Sequence, residues 1–267
     1  MQYHPLTNVH PEAIIGEGTV IEPFATIYKD VVIGTNCWIG PNVVLFDGTR
    51  IGNNVKVFPG ASISAVPQDL KFEGEVTTVE IGDNTTIREY VTISRGTKDK
   101  FKTVIGKDCL IMAYVHIAHD CNIGDKVILV NSVQVAGHVE IGYHAILGGS
   151  SAVLQFTKIG AHVMLAGGSM VRKDIPPYVM AGEYPVSYMG LNLVGLRRRG
   201  FTNDQIGDIQ ETYRQLYLRG SNISEAVKGM ESEGNLSTER KFIIDFIKSS
   251  PKGVIKGPEK STVNTED

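Results

Sequence analysis

Cysteine is scarce in this chain of 267 residues: there are three, an odd number with no CxxC pair. That excludes a disulfide-stapled scaffold or a zinc ribbon and fits a reducing compartment. Net charge is also small, with 26 basic against 29 acidic residues and a formal balance of -3. A generally cationic surface for nucleic acid is therefore not expected, although a local basic patch is compatible with such a balance. No stretch approaches the ~20 apolar residues a spanning helix needs, so stable membrane insertion is not expected. The opening residues, MQYHPLTNV, lack a basic segment followed by an apolar run. A cytoplasmic location is the resulting expectation. With 42% hydrophobic and 21% charged residues, the chain has enough apolar material for a sizeable core.

What the sequence has in abundance is a period of six. Aliphatic residues occupy Val9, Ile15, Ile21, Ile27, Ile33, Ile39, Leu45, Ile51, Val57 and Ile63. The same phase resumes at Ile81, Ile87 and Ile93, and runs unbroken from Ile105 to Val171, giving 25 hexads. Gly often follows the aliphatic, as at Gly16, Gly34, Gly52 and Gly124, and is expected to permit a sharp corner. Four residues after the aliphatic stands something small, such as Ala25, Cys37, Ala61, Cys109 or Cys121. Period six is neither a helical repeat nor simple alternation. It matches three short strands per coil, each turning one aliphatic side chain toward the axis of a triangular prism. The predicted fold is thus mainly β, a left-handed parallel β-helix of hexapeptide repeats about 40 Å long at ~4.8 Å per coil.

Two breaks in phase, at Asp69 with Glu75 and at Asp99, predict excursion loops at about 65–78 and 95–103. Loops carried on a rigid solenoid are where function concentrates. The repeat stops at Pro176-Pro177, after which capped, amphipathic segments (203–218, 224–230 and 237–247) predict a C-terminal α-helical domain. The expected organisation is a β-helix over 1–177, helices over 178–249 and a mobile tail over 250–267.

Five of the seven histidines, His116, His119, His138, His144 and His162, fall in the last run of hexads. Residues 18 apart stack in successive coils, so His119, Gly137 and Gln155 form one column, and His144 and His162 another. An imidazole titrating near neutrality can take a proton from a hydroxyl, and a glycine N–H can stabilise an oxyanion. Those are two parts of acyl transfer. A surface or corner histidine is the plainer alternative for His119. Cys121, at the small interior position, reads as packing rather than as a nucleophile.

The segments HIAHDC (116–121), QDLK (68–71), VEIGDN, TISRGT, AGH (136–138), IGAHVM, DIPPYV and GLRRRGF are similar to those of the UDP-N-acetylglucosamine O-acyltransferases that begin lipid A synthesis. The resemblance spans Val9 to about Ile247. It implies a homotrimer with active sites between neighbouring prisms. It also implies transfer of an (R)-3-hydroxyacyl chain from acyl carrier protein to the glucosamine 3-hydroxyl of UDP-N-acetylglucosamine, with no metal and no cofactor. His119 would be the general base, Asp120 its partner and Gly137 the oxyanion donor. Strand neighbours point to opposite faces, so Asp120 reaches His119 only if a corner intervenes. Asp69 and Lys71 would grip the sugar nucleotide; without the family, QDLK is simply a solvated loop. His116, His138 and Gln155 would complete the groove. Asn192, Arg198 and Arg199 would contact nucleotide or pantetheine phosphate, where the alternative for the arginines is a wetted helix face. Gly167 would be the acyl-chain ruler, and its lack of a side chain implies a long acyl group. Leu154, Val194 and Ser94 depart from the family pattern, standing where a histidine, a glutamate and a histidine are usual.

Two rival readings fit the residues less well. The later N-acyltransferase of the pathway carries a large N-terminal uridine-binding domain, for which a repeat starting at Val9 leaves no room. A zinc enzyme of the γ-carbonic anhydrase type would employ the histidines. It would leave Asp69, Lys71 and the arginine helix unused.

Overall fold

The computed structural model describes residues 2–218 and 222–257. Successive strands of two to five residues fall on three different sheets, parallel but for one last strand, which have eleven, nine and eight strands among the described residues. Each strand pairs with the one a full coil later: Ile21 lies beside Ile39, Ile117 beside Val135, and Ile141 beside Ile159. Together the sheets form the three faces of a left-handed parallel β-helix.

The hexad explains this arrangement residue by residue. The aliphatic points inward and is buried, as at Ile39, Leu45, Ile111 and Leu129, all with no exposure. Four positions on, Ala25, Val43, Val115 and Ala145 fill the space beneath the corner, also with no exposure. Each fully buried aliphatic side chain contributes about 1.5–3 kcal/mol relative to exposure. Cys37, Cys109 and Cys121 share that small position and are free and buried. Burial pushes the Cys121 thiol up to about 12, so it is inert.

The corners differ from expectation in one respect. The glycines that follow the aliphatics are not the left-handed residues. The positive-φ position lies two residues further on, and it is usually not glycine: Asn36, Asn54, Asn84, Asp108, Asp120, His138, His144 and His162 all have φ between 55° and 62°. Asn, Asp and His tolerate that region better than most residues. The glycines are required by coil stacking instead, since a Cβ on Gly34 would lie 2.4 Å from the Gly52 carbonyl oxygen.

Both excursions insert whole hexads, which is why the phase survives them. Ile51 pairs with Ile81 across the first, and Ile87 with Ile111 across the second. Strand Ser62–Ala65 precedes the first loop and Thr78–Ile81 follows it. The second loop returns to the sheet at Lys102, slightly earlier than expected.

Beyond the prism the chain is not purely helical. An antiparallel pair, Val179–Gly182 with Ser187–Leu191, extends the eleven-stranded sheet before any helix begins. Among the described residues four helices follow: α1 (Leu193–Arg198), α2 (Asn203–Tyr217), α3 (Ile223–Ser232) and α4 (Thr238–Lys248). Thr202 caps α2, in a reciprocal capping box with Gln205. The buried hydroxyl of Tyr213 donates to the Pro177 carbonyl at 2.6 Å and ties α2 to the end of the prism.

The expected mobile tail is docked over its first part. Val254 and Ile255 are buried, the Ile255 N–H donates to the Asp174 carbonyl at 2.9 Å, and Tyr188 N–H donates to Lys256. Composition misled here, because two apolar residues suffice to anchor a short polar segment against a sheet end. Residues 258–267 lie outside the described residues.

Candidate active site

The candidate site lies on the edge joining the nine-stranded to the eight-stranded sheet. Strand His116–Ile117 enters this edge and Asn122–Ile123 leaves it, so His119 and Asp120 form the corner itself. Positive φ at Asp120 turns its side chain back toward its neighbour. This resolves the objection that adjacent residues point apart. His119 Nδ1 lies 2.8 Å from Asp120 Oδ2. Asp120 is wholly buried, which would raise its pKa, but hydrogen bonds from Thr97 and His119 hold it below the ordinary carboxylate value. A buried carboxylate at Nδ1 fixes the tautomer in which Nδ1 carries the proton and Nε2 keeps its lone pair. Nε2 lies 3.9 Å from Asp69 Oδ2.

One coil further along, Gly137 lies against the imidazole. A Cβ built there would stand 2.8 Å from both Cε1 and Nε2 of His119, so any side chain would press on the base. Its N–H is unpaired within the fold, as at most corners of this kind; among the described residues only the N–H of Thr35, Asn53 and Lys107 donates at this position to an Asn or Asp of the next coil, at 2.9, 2.7 and 2.8 Å. In this column the next coil offers Gln155 instead, and among the described residues the Gly137 N–H has no acceptor. A base with a free lone pair thus sits beside an unspent donor.

Both face a groove of about 730 Å³ lined by His119, Gly137, Gln155, His116, Asp69 and Lys71, among others. Six of the residues singled out from sequence therefore come together in one chain. His116 Nδ1 is 2.7 Å from the Thr92 hydroxyl, and burial followed by the nearby His119 lowers its pKa. In the first excursion Asp69 Oδ1 accepts the Lys71 N–H at 3.0 Å, which shapes the loop that bears both. His138 lies on the same edge, stacked on Phe156 at 4.3 Å and edge-on to His119 at 5.0 Å. Burial, against the pull of Asp120, keeps its pKa down. Asp99 is 3.1 Å from His138 Nδ1 but off the hydrogen-bonding direction, so that nitrogen has no hydrogen-bond partner among the described residues.

The remaining residues lie elsewhere. Asn192 caps α1: its side chain accepts the Gly195 N–H at 3.1 Å and donates to the His162 carbonyl at 2.9 Å. Arg199 donates to the His144 carbonyl at 3.0 Å and lies 3.3 Å from His162 Nδ1. Both histidines are on the edge between the eight- and eleven-stranded sheets. Burial, then Arg199 and His144, lower the His162 pKa to about 4, so it packs as a neutral ring. Arg198 is exposed. Gly167 is on the third edge, between strands Met164–Leu165 and Met170–Val171, where a Cβ would meet the backbone of Gly148 and Gly149 and stand 3.1 Å from the Gly149 carbonyl oxygen. None of Asn192, Arg198, Arg199 or Gly167 lines the groove of its own chain.

Several groove residues escaped the sequence reading. Gln134 and Arg172 line it and could have been found by column arithmetic from His116 and Ala136. Phe156, which stacks on His138, lies 18 residues after it and follows from the same arithmetic, whereas Thr97, behind the groove in the second excursion, carried no such signal. Of the departures from the family pattern, Leu154 and Ser94 line the groove, whereas Val194 is exposed on α1. His119, Asp120 and His138 also place one donor atom each within 4.8 Å of one another, the spacing of a metal cluster. A cation there would have to compete with Thr97, Lys100 and His119 for the oxygens of Asp120.

Comparison with known proteins agrees along the whole chain. The profile described as Udp N-acetylglucosamine O-acyltransferase, Domain 2, matches residues 174–255, and that of the bacterial transferase hexapeptide matches 12–47 and 102–137. The acyl-[acyl-carrier-protein]–UDP-N-acetylglucosamine O-acyltransferase of Chlorobaculum tepidum is 55% identical over 91% of this chain and 95% of its own. The Sulfurihydrogenibium protein of the same name is 53% identical, covering 98% and 96%. The solved structure of the UDP-N-acetylglucosamine acyltransferase of Bacteroides fragilis superposes with a TM-score of 0.93 at 48% identity, covering 95% of this chain and 99% of that one. That of Francisella novicida gives 0.94 at 38%, covering 98% and 97%. With such identity sustained over nearly the full length, the chain belongs to the UDP-N-acetylglucosamine O-acyltransferase family.

Proposed function

We propose that this protein transfers an (R)-3-hydroxyacyl group from acyl carrier protein to the 3-hydroxyl of UDP-N-acetylglucosamine, the first step of lipid A synthesis. The observation that carries the reading is the pairing of a buried Asp120–His119 dyad with an unspent Gly137 N–H at the rim of one groove. His119 Nε2 takes the proton of the sugar hydroxyl as its oxygen attacks the thioester carbonyl. The oxyanion of the tetrahedral intermediate is stabilised by the Gly137 N–H. The C–S bond then breaks, and the protonated imidazole returns its proton to the departing pantetheine thiolate, leaving a 3-O-acyl ester and the free carrier thiol. Asp120 stabilises the imidazolium formed between these steps. The residues invoked need neither metal nor cofactor for this sequence. Asp69 and Lys71 hold the sugar nucleotide, Lys71 as a point charge toward phosphate.

The working assembly is a homotrimer. A three-fold arrangement of prisms sets the surface of a neighbour against each groove, which gives Asn192, Arg198 and Arg199 on one edge and Gly167 on another a role on substrate shared between adjacent chains. No helix among the described residues is long and apolar enough to cross a membrane. A cytoplasmic location would supply both the carrier protein and the nucleotide sugar. The test is a transfer assay with UDP-N-acetylglucosamine and 3-hydroxyacyl carrier proteins, run beside His119→Ala. Loss of about 10²- to 10⁴-fold in turnover is expected for a positioned base. Wild-type turnover in a folded His119→Ala variant would refute the mechanism, and stoichiometric zinc in the purified protein would favour the carbonic anhydrase reading.

A further inference from the structure

The second excursion touches the catalytic edge and the sugar-nucleotide loop at once. At one end Thr97 donates its N–H to Asp120 Oδ1 at 2.9 Å and its hydroxyl to Oδ2 at 2.6 Å. The Lys100 N–H adds a third donor, 3.2 Å from Oδ1. At the other end the Lys98 N–H donates to Glu75 at 2.9 Å, and the Arg95 guanidinium lies 5.5 Å from the centre of the Phe72 ring. Glu75 and Phe72 belong to the loop that carries Asp69 and Lys71. The 95–101 segment is therefore a brace between the two halves of the site.

Asp120 Oδ2 has two imidazoles within reach. His119 Nδ1 is 2.8 Å away, and His138 Nε2 is 3.9 Å away. A carboxylate held only by histidine can rotate toward either ring. The Thr97 hydroxyl, at 2.6 Å on the same oxygen, and its N–H on the other oxygen define the carboxylate plane and aim Oδ2 at His119. Thr97 is itself buried, so water does not readily substitute for the hydroxyl.

We propose that Thr97 is a positioning residue for acyl transfer: its hydroxyl commits Asp120 to His119 and so fixes the tautomer and orientation of the base. This rests on the reading of His119 as general base. It assigns turnover to the Thr97 end of the brace and nucleotide-sugar affinity to the Arg95 end.

The experiment compares Thr97→Val, which keeps the shape and removes the hydroxyl, with Thr97→Ser, which keeps the hydroxyl. Steady-state kcat and both KM values are measured with UDP-N-acetylglucosamine and a 3-hydroxyacyl carrier protein, together with melting temperature. Thr97→Val is expected to lose about 10- to 100-fold in kcat, the worth of one hydrogen bond to a buried charge, with both KM values within about twofold. Thr97→Ser should recover most of that loss. Thr97→Ala replaces Thr97→Val if the latter melts low, and the same fall in kcat is expected of it. Turnover near wild type in Thr97→Val, or equal impairment of the Ser and Val variants, overturns the proposal. Running His119→Ala alongside separates the two readings. An inactive His119→Ala beside a fully active Thr97→Val removes Thr97 alone, whereas an active His119→Ala removes the base and its positioning together.

Discussion

Replacing Gly137 by alanine tests the site at its tightest point. The added methyl would stand 2.8 Å from Cε1 and Nε2 of His119, where ordinary carbon contacts begin near 3.4 Å. The ring must therefore retreat from the methyl by roughly half an ångström, which disturbs its hydrogen bond to Asp120. Gly137 does not have positive φ, so alanine suits the backbone. The atoms that must yield are the far end of one side chain. Stability should consequently change by less than about 1 kcal/mol, within the range of mild substitutions. Catalysis should not be spared. A misplacement of this order at reacting atoms costs about 10²-fold, and the methyl also covers the lone pair that accepts the substrate proton. The peptide N–H is retained, so the oxyanion donor survives and the loss falls on the base. The assay is release of carrier-protein thiol at saturating UDP-N-acetylglucosamine, with melting temperature followed in parallel. A Gly137→Ala variant with wild-type kcat would refute the contact between these two residues as the reason for glycine at this position.

Lys71→Ala should weaken UDP-N-acetylglucosamine binding while moving stability by no more than about 0.5 kcal/mol, because Lys71 is an exposed loop side chain. Unchanged affinity by calorimetry would return the loop to a solvated role. Gly167→Met should shift acyl preference from about fourteen carbons or more toward about ten, with each excluded methylene worth up to ~0.8 kcal/mol. Competition between carrier thioesters of ten, fourteen and sixteen carbons reads the ranking, and an unaltered order would remove Gly167 from the site. His162 is buried as a neutral ring with its pKa lowered to about 4. The unfolded chain therefore binds a proton that the folded one refuses, and stability should decline as pH falls from about 6.5 to about 4, by at most about 1.4 kcal/mol per unit from this group. Melting curves across that window should show a shallower slope in His162→Gln; an equal slope would place the effect on other groups.

The period of six in the sequence was sufficient to determine the prism, because each hexad makes its own inward contact and pairs with the residue one coil away. Column arithmetic then brought His119, Gly137 and Gln155 together before any coordinates, and the structure lines one groove with all three. A repeat encodes only what recurs, and the remainder of the site does not recur. Whether Asp120 faces His119 depended on a left-handed corner and on Thr97, which arrives from an excursion with no phase to follow. Nothing in the spacing of Asn192 points to the His162 carbonyl it donates to, and Arg199 reads as a wetted cation until His144 offers its carbonyl. The docking of residues 250–257 rests on Val254 and Ile255 meeting the prism end, a contact between segments far apart in the chain. Sequence alone determined what a local, repeated hydrogen-bonding and packing pattern can specify. Only the tertiary structure decided which distant side chains satisfy the polar groups that the pattern leaves at its edges, because those partnerships follow from burial and proximity and leave no spacing to read.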